Sequence, residues 1–281
     1  LINKWGAVVV VRTKCILKIL FVGVMTTFSR IIGQLLIPPG KQSILPPSVF
    51  VVNGTMPLAF SVYGVIAFSL IAAMFLLVCD QLSGSRVVQG LKYGIAFSLV
   101  WIVYLLEPLP HAAPLDRITY PLADTFSLLV MGALVGVMLG KKEGERNSKL
   151  PGNSSIMAIV AITGLFIIGR LIQYYVLDIY SSFAEKPLET LIWCAVTGLT
   201  TACVLDWFNK HVQQSSRTAN VLIVGGVLFG LNLFLFNFFM PLVFDADMID
   251  LLLRTFVDIA AVMVGCLFFS VKKFEVKPGA N

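Results

Sequence analysis

Apolar residues dominate eight stretches of the chain, at 19–37, 58–79, 88–106, 121–140, 156–177, 188–206, 220–243 and 251–271. A helix rises about 1.5 Å per residue, so roughly 20 such residues cross a hydrocarbon core of about 30 Å. Pro38-Pro39-Gly40, Pro108-Leu109-Pro110 and Pro151-Gly152-Asn153 lie between stretches, and residues of this kind end helices. Alternating ten-residue strands, the mark of a membrane barrel, do not occur. Within lipid each backbone N–H and C=O must bond inside its own segment, so the eight stretches are predicted to be helices.

Composition agrees with this pattern. Hydrophobic types make up 58% of the 281 residues, charged types 13%, and mean hydropathy is +0.90. Soluble domains average roughly 45–50% apolar and about 25% charged. A water-soluble globule, a disordered chain, a collagen and a disulfide scaffold are all excluded. The fold class expected is all-α: a polytopic integral membrane protein of eight transmembrane helices.

Charge sets the expected orientation. With the N-terminus inside, fifteen of the 21 Lys and Arg fall on inner segments and four on outer ones, Lys41, Arg117, Lys186 and Arg254. This matches the positive-inside rule with both termini inside. The net charge of +6 is then an inner-face bias towards anionic lipid, not a sign of nucleic-acid binding. The leading Leu reads as a non-ATG start codon translated literally, so a bacterial cytoplasmic membrane is expected. Cys15, Cys79, Cys194, Cys203 and Cys266 are expected as free thiols.

Corresponding features recur at offsets of about 130–140 residues. Arg30 and Gln34 in the first span have counterparts Arg170 and Gln173 in the fifth. Pro57-Leu58 and Pro187-Leu188 open the second and sixth. Arg86 and Arg217 precede the third and seventh, and Asp124 and Asp258 lie in the fourth and eighth. Four spans per unit is an even number, so both units would insert the same way, as parallel repeats. The expected organisation is an inner lead at 1–18, a first four-helix unit at 19–140, a linker at 141–155, a second unit at 156–271 and an inner tail at 272–281.

Ionisable groups inside spans are costly and face the protein interior or a wet cavity. Arg30 and Arg170 lie in the outer halves of their spans, at depths near those of Asp124 and Asp258. Gln34 and Gln173 share a helix face with their Arg residues. The expected site is therefore Arg30, Gln34, Asp124, Arg170, Gln173 and Asp258, between the units and open to the outside. It would bind a small anionic or cationic solute for a transporter or permease. The competing reading makes the Arg–Asp pairs structural bridges in an assembly or lipid-binding component. Glu107, Glu189, Asn232 and Asn237 are secondary candidates; the two amides are expected to bond across helices.

Gly132, Gly136 and Gly140 on the fourth span, and Gly90, Gly94 and Ser98 on the third, form small-residue stripes suited to close packing. The sixth span, with Thr190, Thr197, Thr200 and Thr201, is expected to be the least apolar and to lie inside the bundle. His111 with Glu107 and Asp116 makes at most a loose cluster, so neither a metal nor a cofactor is expected. Phosphate loops, HExxH, GxSxG and paired-acid motifs are absent, which leaves an intramembrane lipid-modifying enzyme as the weakest reading.

Overall fold

The computed structural model describes residues 2–37, 44–142, 155–212 and 216–269, with 2–12 as backbone. Most of the expected linker and all of the expected tail, 272–281, lie outside the described residues, as do Pro38-Pro39-Gly40 and Pro151-Gly152-Asn153. Eight long helices follow in order: α1 (Ile2–Leu36), α2 (Met56–Leu77), α3 (Arg86–Leu105), α4 (Asp116–Leu139), α5 (Ile156–Tyr175), α6 (Pro187–His211), α7 (Arg217–Val243) and α8 (Met248–Cys266). Among the described residues the extended structure is a single isolated bridge between Pro47 and Phe244.

Local chemistry sets several boundaries. The hydroxyls of Ser85, Ser155 and Ser216 accept from backbone N–H groups at the starts of α3, α5 and α7, and the Asp247 carboxylate does so for α8. Such caps satisfy N–H groups that a helix start leaves unpaired. Two details depart from the sequence pattern. The first helix begins at Ile2 and continues unbroken through the expected lead. The backbone of α7 widens into π-helical turns over Val221–Leu231, around Gly225, Gly226 and Gly230.

Seven of these helices, α1 to α7, are long and apolar enough to cross a membrane. The eighth, α8, carries Asp250, Arg254 and Asp258 in 19 residues. Large apolar side chains remain exposed along the outside, among them Leu17 and Phe28 on α1, Ile156 and Val160 on α5, and Leu188 and Ile192 on α6. Apolar exposure on this scale fits a lipid-facing surface. The least apolar of the seven is α3, not α6, and α3 is also the most deeply buried. Its glycine stripe explains this, because it draws the helix into the bundle interior.

Helix α1 packs on α2 and α4, and α3 on α4; α5 packs on α6 and α8, and α7 on α8. The third and fourth helices approach so closely that a Cβ on Gly90 would overlap the Gly132 carbonyl and lie 2.6 Å from Gly136 N. The expectation that these stripes serve packing is met. Contacts of α3 with α6, and of α2 with α7, join the two halves. Each junction carries an aromatic donor: Trp193 Nε1 donates to Val103 O at 2.6 Å, and Tyr63 OH to Leu235 O at 2.8 Å.

Loops after α1, α3, α5 and α7 gather at one end of the bundle. There Asp245 N donates to Pro46 O at 2.9 Å, and Tyr180 N to the Asp250 carboxylate at 2.8 Å. The other end holds the Asp80–Lys141 pair at 2.5 Å, and Ser155 N donates to Asp206 at 3.0 Å.

Candidate functional site

Successive turns of α1 carry Arg30 and Gln34, so both point towards α4. Arg30 Nε donates to Asp124 Oδ1, and Arg30 Nη1 to Gln34 Oε1 at 2.8 Å. Burial of the Arg30–Asp124 pair is nearly complete, with Arg30 8% exposed and Asp124 6%. Among the described residues the hydrogen bonds of this pair run through Arg30 Nε, Arg30 Nη1 and Asp124 Oδ1, and Arg30 Nη2 and Asp124 Oδ2 make none.

Between α5 and α8 the corresponding residues meet in a tighter arrangement. Arg170 Nη2 donates to Asp258 Oδ2 at 2.6 Å, and Gln173 Nε2 to Asp258 Oδ1 at 2.8 Å. Tyr104 OH reaches Asp258 Oδ2 at 3.3 Å. The guanidinium stands 4.6 Å from the Trp193 ring centre, a cation–π contact. Arg170, Gln173 and Asp258 are fully buried. Among the described residues Arg170 Nε and Gln173 Oε1 have no hydrogen-bond partner.

Glu107 extends this cluster. One carboxylate oxygen accepts from Arg170 Nη1 at 3.0 Å and the other from Arg254 Nη1 at 2.9 Å. Arg254 also donates to Tyr180 O. Two guanidinium groups and two carboxylates thus neutralise one another in the interior. The sequence pattern assigns Arg254 to the outer end and Glu107 a secondary role. A usable signal existed: Arg254 precedes Asp258 by four residues, which puts both on one face of α8.

A cavity of about 660 Å³ opens among α1, α2, α4 and α7. Arg30, Gln34 and Asp124 lie on its wall, with Arg117, Glu107 and Arg254 towards the loops and Arg170 as the contribution of α5. Phe60, Phe68, Trp101, Phe236, Phe239 and Phe244 contribute aromatic rings to the remaining surface, which is mostly apolar. Gln173 and Asp258 do not reach the wall. They sit behind Arg170 and act on the cavity through it. The volume lies within the range of about 300–1,000 Å³ usual for small-molecule sites, and an apolar wall with a few polar groups is their common form.

The secondary candidates are all engaged. Glu189, in the first turn of α6, accepts from Arg117 at 2.9 Å. As expected, the amides bond across helices: Trp101 Nε1 donates to Asn232 Oδ1 at 3.1 Å, and Asn237 Nδ2 to Thr255 Oγ1 at 2.7 Å. His111 Nδ1 lies 3.1 Å from Tyr180 OH. Burial, and then the neighbouring Arg254, lower the imidazole pKa below its ordinary 6.5, against the opposing pull of Glu107 and Asp116. Among the described residues no group of three His, Cys, Asp or Glu is arranged to hold a metal.

The length and composition of seven helices make this a multi-pass membrane protein. No known protein family, characterised protein or solved structure matches the chain.

Proposed function

We propose that the protein is a small-solute transporter or permease whose substrate binds in the cavity beside Arg30, Gln34 and Asp124. The observation that carries this reading is the cavity itself. An ion pair needed only for helix register could keep its carboxylate away from any cavity, as Arg170–Asp258 does. Arg30–Asp124 instead lies on the wall of a space large enough for an organic solute.

In this reading α8 is an eighth span, both termini are inside, and the membrane is a bacterial cytoplasmic one. The charges of α8 are compatible with its crossing, because Arg254 is paired with Glu107, Asp258 with Arg170, and Asp250 lies in its first turn. Duplication is supported by contacts: α1 meets α2 and α4 as α5 meets α6 and α8. The inter-half hydrogen bonds also correspond, since Tyr63 and Trp193 are 130 residues apart and Val103 and Leu235 are 132 apart. Rocking of one four-helix unit against the other would expose the cavity alternately to the two sides.

The test is a thermal-shift screen of the purified chain against anionic, cationic and zwitterionic metabolites, run beside Arg30→Gln. A ligand at a hundred times its Kd stabilises by about 2.7 kcal/mol. A compound that raises the Tm of the native protein and not of the variant should then enter proteoliposomes with saturable kinetics. Binding without uptake would overturn the transport reading.

A further inference from the structure

The charges around the cavity restrict its substrate. Each Arg on the wall is already matched to a carboxylate: Arg30 to Asp124, Arg117 to Glu189, and Arg170 and Arg254 to Glu107. Arg170 is matched a second time, to Asp258. A solute with one net charge would leave a buried charge uncompensated, or would have to draw an Arg away from its partner. Either change is costly in an interior of low dielectric. Among the described residues Arg30 Nη2 and Asp124 Oδ2 make no hydrogen bond, and both residues lie on the cavity wall. The rest of the wall is mostly apolar and rich in aromatic rings, with Phe60 and Phe239 among its members.

We infer that the substrate is a zwitterion with an apolar body. Its anionic group takes Arg30 Nη2, its cationic group takes Asp124 Oδ2, and its body lies against the aromatic wall. Four alternating charges then meet, and no charge is left alone. The second half shows the same logic in a completed form. There Glu107 and Arg254 supply, from the protein itself, the negative and positive groups that complete a neutral four-charge cluster with Arg170 and Asp258. This inference rests on the cavity being the binding site, as proposed above.

A matched series tests it: phenylalanine, 3-phenylpropionate, phenethylamine and glycine, titrated calorimetrically into the purified full chain. Phenylalanine should bind at least tenfold more tightly than either singly charged analogue and than glycine. A double variant, Arg30→Gln with Asp124→Asn, removes both charges together and strands neither, so it should fold and lose this preference. Phe60→Ala should weaken all three aromatic probes. Tighter binding of 3-phenylpropionate or phenethylamine than of phenylalanine, still weakened by Phe60→Ala, would overturn the zwitterion class and leave the cavity as a binding site. Silence from all four probes, while the metabolite screen yields a ligand dependent on Arg30, would likewise overturn the class alone. Silence in both experiments would overturn the class and the binding-site reading together.

Discussion

Glu107 holds one guanidinium on each carboxylate oxygen. Its replacement by Gln would leave Arg170 with Asp258 and strip Arg254 of its carboxylate partner. Removing one partner of a buried pair costs about 3–5 kcal/mol, so Glu107→Gln should lower Tm strongly in a detergent melt. Glu189→Gln breaks a partly exposed pair and should cost no more than about 1 kcal/mol. His111 gives a prediction on pH. Its folded pKa is lowered, so the unfolded chain takes up a proton first as pH falls. Its stabilising contribution is full above 6.5 and declines as pH drops below that value towards the folded pKa. A plot of Tm against pH should therefore fall more steeply below 6.5 for the native chain than for His111→Gln. Of these groups, the Arg30–Asp124 and Arg170–Asp258 pairings could be anticipated from matching depth and type. The double grip of Glu107 could not, because Glu107 lies just past the end of α3 and outside the matched Arg, Asp and Gln sets.

At the scale of elements, backbone proximity separates glycines that look alike in sequence. Gly90 faces the backbone of α4, which cannot yield as a side chain can. Gly90→Ala should force α3 and α4 apart at a cost of about 1–3 kcal/mol. Gly164 on α5 faces open space, so Gly164→Ala should be neutral or stabilise by up to about 1 kcal/mol through helix propensity. Thermal melts of the two variants should shift in opposite directions or differ by several degrees. The stripe Gly90, Gly94, Gly132 and Gly136 was readable in advance because its spacing defines one helix face. The widened turns of α7 were not, since three glycines in an apolar run equally fit an ordinary helix.

For the whole molecule, the proposed orientation places Lys186 outside and Lys142 inside. In a cysteine-free background, Lys186→Cys should react with a membrane-impermeant maleimide on intact cells, and Lys142→Cys only after lysis. The reverse pattern would invert the topology; labelling of both from outside would remove a span. The chain by itself determined that it forms long apolar helices, and where most of them begin and end. Those properties depend on local composition and on the hydrogen-bond demand of a backbone in lipid. It also marked both Arg, Asp and Gln sets, because charge inside an apolar run is conspicuous at any position. Only the tertiary structure decided that Asp258 stands behind Arg170, with Glu107 and Arg254 completing its cluster, while Arg30 and Asp124 both line the cavity. That distinction depends on which side chains from distant helices fill the space beside each Arg, and no local pattern encodes it.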